Sequence, residues 1–109
     1  MAVDVGVERS VERSAALKAL AEPARWRIVE CLGEEELCVC HLVDDLGLAQ
    51  PLVSHHLKVL REAGLVTSDR FKQWVYYRLV PGALDQVAID LARAAATAQQ
   101  APRRRRPCC

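Results

Sequence analysis

Apolar residues recur at helical spacing through the first sixty residues, give way to two β-prone runs, and return to helical spacing near the end. From about Glu8 to Ala21, Val11, Ala15, Leu17 and Leu20 form an apolar stripe between charged positions, whereas residues 1–6 show no period and are expected to be loose. Pro23 suits the first turn of a second helix over Ala24 to about Leu32, with Trp26, Ile28, Val29 and Leu32 available for burial and Gly33 ending it. After the acidic step Glu34 to Glu36, the run from Leu37 to Gly47 predicts a short third helix with Leu42, Val43 and Leu46 inward and Gly47 closing it.

Pro51 opens a fourth helix that runs to Ala63, and Gly64 followed by Leu65 has the pattern of a left-handed C-terminal cap. Two short helices joined by a tight turn make a helix-turn-helix. Leu65 to Ser68 and Trp74 to Val80 predict a hairpin, or wing, around the polar stretch Asp69 to Gln73. Pro81-Gly82 breaks the chain, and Ala83 to about Gln99 form a last helix with Leu84, Val87, Ala88, Leu91 and Ala95 on one stripe. The expected fold is mainly α with a β-hairpin wing, a winged helix-turn-helix in the order helix, helix, helix, helix, hairpin, helix. It occupies one domain over residues 7–100, followed by a flexible tail over residues 101–109 that is basic and ends in cysteine.

The fourth helix has two distinct faces. At about 100° per residue, Val53, Leu57 and Leu60 fall near one line, with Leu52, His56 and Val59 on its flank, and these face the core. Gln50, Ser54, His55, Lys58 and Arg61 fall opposite, a face of groups that bond phosphates or base edges. Such a mixture alone is an ordinary solvated surface. Its position after a short helix and Gly47, and before a hairpin carrying Arg70, Lys72 and Arg78, makes it a DNA-reading face. His56 belongs at the edge of the core.

Composition sharpens this picture. A chain of 109 residues, 51% hydrophobic and 27% charged, is a single globular domain. Its apolar runs fall far short of the roughly 20 residues that cross a bilayer, so no membrane partner is expected. The formal charge of +1 argues at first against a nucleic-acid partner. Arg103 to Arg106, however, carry four of the 15 positive charges, leaving 11 against 14 in residues 1–102, a net of −3. Nine of the 15 basic groups therefore lie on one helix face, the wing and the tail.

Five cysteines are an odd count, and the opening residues lack the basic and apolar regions of a signal peptide. A reducing cytoplasm is expected, where Cys31, Cys38, Cys40, Cys108 and Cys109 serve as core residues, metal ligands or redox groups. Size adds a constraint on assembly. A compact domain of this length has a radius of gyration of about 13 Å, whereas adjacent major-groove half-sites lie about 34 Å apart. One copy covers one half-site, and the apolar stripes of the first and last helices are expected to form a two-fold homodimer interface on double-stranded DNA.

Four stretches carry a family resemblance. Leu17-Lys18-Ala19-Leu20-Ala21-Glu22-Pro23-Ala24-Arg25, Glu36-Leu37-Cys38-Val39-Cys40, Gln50 to Val66 with its Ser54-His55-His56, and Trp74-Val75-Tyr76-Tyr77-Arg78-Leu79 closely resemble the ArsR/SmtB family of bacterial metal-sensing repressors. The resemblance covers about Ala15 to Pro81. It implies a winged-helix dimer that holds an operator when free of inducer and releases it on binding metal. Within the family, the Cys-Val-Cys step looks like the arsenite and antimonite sensors.

The chemistry of that step agrees with such an inducer. As(III) and Sb(III) are soft and prefer several thiolates, and a cysteine pair at a helix N-terminus is partly activated by the helix dipole. No permanently bound cofactor is expected. On a regular helix, residues two apart point about 200° apart, so Cys38 and Cys40 share one ion only if the helix start is extended or unwinds. Unwinding would supply a switch beneath the reading helix.

Two departures from the family pattern stand out. The place of a third cysteine, three residues after the pair, is Val43, so the metal ligands beyond Cys38 and Cys40 must come from elsewhere. Cys31, His41 and the terminal Cys108 and Cys109 are the candidates, and the tail, within a reach of about 30 Å, is preferred over the core thiol Cys31. At the wing, a glycine common in the family is replaced within Arg70-Phe71-Lys72-Gln73.

Other ions and functions are weighed on the same residues. The family's zinc sensors use Asp and His on the last helix; here Asp85 and Asp90 occur with no His beyond His56, which disfavours zinc there, while Cd(II) and Pb(II) suit thiolates as As(III) does. A thiol redox sensor on the same frame is the alternative function, and a metal carrier that binds no DNA is a third. An enzyme is the weakest reading, since no nucleophile, base and orienting acid converge by spacing. A terminal Cys-Cys also occurs in prenylated GTPases, but the chain has no Gly-Lys-Ser/Thr phosphate loop.

Overall fold

A computed structural model describes residues 5–108, with side chains from residue 10 onward. Five helices and one hairpin follow in the order α1 (Val5–Ala21), α2 (Pro23–Glu34), α3 (Val39–Leu46), α4 (Gln50–Glu62), β1 (Val66–Phe71), β2 (Trp74–Leu79) and α5 (Pro81–Gln100). This is the expected winged helix-turn-helix. Helices α1 to α4 pack on one another, α2 and α3 also touch β2, and α5 returns along α1. The core is aliphatic, centred on Ile28, Leu42, Val53, Leu57, Leu60 and Leu65, each almost fully buried.

Glycine ends both α3 and α4. Gly47 takes φ +67° at the end of α3 and donates its N–H to Val43 O at 2.9 Å. After α4, Gly64 takes φ +77° and donates to Arg61 O at 3.0 Å, and Leu65 N–H returns to Leu60 O at 3.0 Å. The two bonds form a Schellman cap, and the left-handed glycine turns the chain directly into β1.

Several boundaries differ from the sequence reading. Helix α1 already includes Val5 and Gly6, and its buried side is lined by Ala16 and Ala19 while Val11, Ala15 and Leu17 face outward. Small residues allow α1 to approach α2 and α4 closely, so the larger apolar groups on its other side are left for solvent or a partner. Trp26 is 48% exposed instead of buried. Gly33 sits inside the last turn of α2, which ends at Glu34.

Leu37 is not helical. It forms an isolated antiparallel bridge to Tyr77, with Leu37 N–H to Tyr77 O at 3.1 Å and Tyr77 N–H to Leu37 O at 2.8 Å. That bridge delays the start of α3 to Val39. Strand β1 runs further than expected, to Phe71, while β2 stops at Leu79; the ladder pairs Val66 with Leu79 through to Phe71 with Trp74, and only Lys72 and Gln73 make the turn. Pro81 stands in the first turn of α5, where its missing N–H costs nothing, so Pro81-Gly82 opens the helix it was expected to precede.

The molecule is also less compact than the expected 13 Å. Its radius of gyration is 17.9 Å with extents of 60 × 38 × 25 Å. Only Val87 of the twenty residues of α5 is buried, and its C-terminal half, Leu91 onward, is exposed throughout.

Candidate nucleic-acid interface and thiol centre

Helix α4 separates its faces by the 3.6-residue period. Val53, His56, Leu57 and Leu60 point into the core, and Gln50, Ser54, His55, Lys58 and Arg61 are all exposed. Leu52, expected on the core flank, is 42% exposed and adds an apolar group near the start of the polar face.

His56 joins a polar link that the sequence reading did not foresee. The Arg25 guanidinium donates through Nε to Ala19 O at 2.7 Å, at the end of α1, and through Nη1 to His56 Nδ1 at 3.2 Å. Because a guanidinium only donates, His56 is neutral with its proton on Nε2, which lies 3.9 Å from Glu22. Glu22 in turn accepts from Arg25 N–H at 2.9 Å as the N-cap of α2. Burial pushes the His56 pKa below its usual value, Arg25 and His55 add to this, and Glu22 opposes it. Glu22 is held below the usual carboxylate range chiefly by the Arg25 N–H bond. Helix α4 is thereby tied to the α1–α2 corner, through a link that no local pattern marks because Arg25 and His56 stand 31 positions apart.

The wing presents Arg70, Lys72 and Arg78, all exposed. Arg78 is paired with Asp69 at 3.1 Å across the strands, a diagonal contact on one face that offsets its charge. Lys72 takes φ +58° at the turn, a left-handed backbone that glycine would enter at no steric cost, so the missing wing glycine is met by strain in a lysine.

The thiol pair sits where the core meets the wing. Cys38, held in place by Leu37 on β2, is the extended N-cap of α3 with φ −91° and ψ 170°, and Cys40 is in its first turn. That extended residue brings the Cys38 and Cys40 Sγ atoms to 2.8 Å with α3 intact, which is the extended of the two expected helix starts. His41 Nδ1 lies 3.3 Å from Cys38 Sγ and accepts from Cys38 N–H, also at 3.3 Å. The three donor atoms lie within 4.8 Å of one another.

Burial raises the Cys38 thiol, but the Cys40 thiol and the backbone N–H groups of His41 and Cys40 outweigh it, leaving Cys38 below its ordinary value. Cys40 is raised in consequence, mainly because its proton is shared with Cys38. The pair thus gives up one proton readily and resists losing the second.

The other expected ligands lie elsewhere. Cys31 is half-buried against the core, and burial raises its pKa further from the thiolate. Cys108 is exposed in the tail and does not join the thiol pair, while Cys109 lies outside the described residues. His41 stands beside the pair instead. Two thiolates and an imidazole form a mixed sulfur and nitrogen set that suits thiophilic divalent ions, and a third thiolate is what As(III) would add.

Comparison with known proteins is consistent with these features. Residues 22–68 match the model described as bacterial regulatory protein, arsR family. The chain is 49% identical over 74 residues to the HTH-type transcriptional repressor SmtB of Mycobacterium tuberculosis, a match covering 68% of this chain and 55% of that protein. It is 37% identical over 80 residues to an arsenical resistance operon repressor of Staphylococcus xylosus, covering 73% and 77% respectively. The chain thus spans from about half to three quarters of the length of these relatives. The fold superposes on an ArsR-like transcriptional regulator from Rhodococcus sp. RHA1 with a TM-score of 0.78 and 26% identity, covering 85% of this chain and 88% of that one.

Proposed function

Because the chain belongs to the ArsR family of bacterial regulatory proteins, we propose that it is a metal(loid)-responsive transcriptional repressor that grips operator DNA as a homodimer and lets go when Cys38 and Cys40 take up As(III) or Sb(III). The observation that carries this reading is the 2.8 Å approach of the two thiols at the N-terminus of α3, the helix packed against α4. Gln50, Ser54, His55, Lys58 and Arg61 read the major groove, and Arg70, Lys72 and Arg78 hold flanking phosphates.

Ligation competes with capping. Cys38 and His41 are hydrogen-bonded to each other's backbone or side chain at the open end of α3, so an ion that claims them removes partners from that helix terminus. Losing a cap costs a helix about 1 kcal/mol, a sizeable share of what holds an eight-residue helix in place. For arsenite, each As–S bond forms as a thiol proton leaves with one hydroxide as water, and no electron moves. Cys38, Cys40 and a tail thiol, Cys108 or Cys109, would complete a three-thiolate set. Cd(II) or Pb(II) would instead accept His41.

The test is operator retention by the reduced protein with arsenite, cadmium, zinc or peroxide added in turn. Arsenite is expected to release the duplex, and Cys38→Ser or Cys40→Ser to abolish release while sparing DNA binding. If Cys108→Ser with Cys109→Ser leaves arsenite release unchanged, the third donor is not the tail. Release by peroxide alone would replace metal sensing with reversible formation of the Cys38–Cys40 disulfide, the second reading, which the short Sγ separation also favours.

A further inference from the structure

The hairpin tip is aromatic as well as cationic. Phe71 and Trp74 form the last pair of the β1–β2 ladder and stand 61% and 47% exposed on either side of the Lys72-Gln73 turn. The chain has a single phenylalanine and two tryptophans, and it places the phenylalanine and one tryptophan here, outside a core that is aliphatic. These rings are not spent on each other, since the only aromatic ring pair in contact among the described residues is His55 with His56. What lies over Phe71 is a cation, Lys72 Nζ, 5.5 Å from the ring centroid. Arg70 is exposed beside it, and Asp69, the nearest acid on the wing, is matched by Arg78.

A projecting apolar ring flanked by unmatched cations fits a partner that alternates negative charge with stacked apolar surface, as duplex DNA does. Position favours the same partner. β1 begins after only Ala63, Gly64 and Leu65 from the end of α4, so the wing is anchored at the C-terminus of the reading helix. Six residues of strand extend about 20 Å, and half a turn of B-DNA is about 17 Å, so a wing rooted beside the major groove reaches the neighbouring minor groove.

Resting on the DNA-binding reading above, we propose that the wing tip is an aromatic wedge, in which Phe71 enters the minor groove and parts a base step while Trp74 packs beside it and Lys72 and Arg70 hold the bordering phosphates. Apolar side chains inserted this way unstack one step and kink the duplex, which gives preference for deformable sequence at positions α4 never touches.

The test uses the full chain and duplexes that it enriches from a random-sequence pool, with 2-aminopurine placed at each flanking step in turn. With wild type, 2-aminopurine fluorescence is expected to rise at one flanking step. In a W26F background, where Trp74 is the sole tryptophan, its emission is expected to change on binding. Phe71→Ser should remove the 2-aminopurine signal and weaken binding about tenfold, whereas Phe71→Leu should keep most of both, since an aliphatic wedge also unstacks. The slope of affinity with salt should fall for Lys72→Ala and stay unchanged for Phe71→Ser.

Equal affinity and equal fluorescence for Phe71→Ser and wild type would overturn the wedge and leave DNA binding standing. So would a Phe71→Ser variant whose only defect is weaker self-association, which would make the tip a contact between protein chains. If wild type enriches no duplex at all, the repressor reading falls, and the wedge with it.

Discussion

At the scale of single residues, the Arg25, Glu22 and His56 link makes stability depend on pH in a defined direction. His56 is 6% exposed and its folded pKa lies below the ordinary value of 6.5, so the unfolded chain takes up its proton first as pH falls. Stability is full above about pH 6.5 and declines as pH drops through that value toward the folded pKa. The depressed carboxyl of Glu22 adds a second decline below its ordinary 4.5, again toward acid. Thermal unfolding between pH 7.5 and pH 5.5 should therefore show a falling midpoint. His56→Gln, which cannot take a proton, should flatten that fall, and an unchanged slope would remove His56 as its source.

At the scale of elements, caps and bridges decide where helices begin and end. Gly64 has open space around the position of a Cβ, so Gly64→Ala meets no clash and its cost is backbone conformation alone. The expected loss is about 1 kcal/mol, read from urea unfolding. A loss near zero would mean that the α4–β1 turn relaxes out of the left-handed region.

The helices and the wing were legible in the periodicity because their buried residues repeat with a clear period. The errors fell where a tertiary contact overrides a local pattern. Leu37 reads as helical until Tyr77 claims its backbone, and Ala16 and Ala19, outside the apolar stripe expected for α1, prove to be the residues it buries at close approach. The cysteine pair was legible as a site by spacing. Its geometry was not, because the extended backbone of Cys38 follows from that same long-range bridge. Nor did any local pattern mark His56 as the partner of Arg25, 31 positions away.

At the scale of the whole molecule, the core leaves out, besides Trp26, Leu52 and the two wing-tip rings, Val11 and Leu17 on α1 and Ile89 and Leu91 on α5, 39–64% exposed. Between the two helices runs a groove of about 670 Å³, lined in part by Glu12, Arg13, Ala16, Val87 and Asp90. One chain alone leaves these faces wet, in keeping with the proposed homodimer. Sedimentation of the wild type should give twice the 12.1 kDa chain mass. Leu91→Glu, which places a charge on a face 58% exposed in the single chain, should give the single mass with folding retained. A variant that still sediments as a dimer would place the interface elsewhere.

The Leu37–Tyr77 bridge gives the protein a built-in reporter. Its two amides, bonded to opposing carbonyls at 3.1 and 2.8 Å, connect the residue before Cys38 directly to the wing. Protected amides exchange with deuterium only when their bond opens, so these two positions measure how often the strand lets go. If ligation at Cys38 pulls on that connection, arsenite should speed exchange at Leu37 and Tyr77 while leaving deep-core amides such as Leu57 slow. Rates unchanged at both positions would show that the signal passes through α3 alone, and the wing would then be a passenger in release.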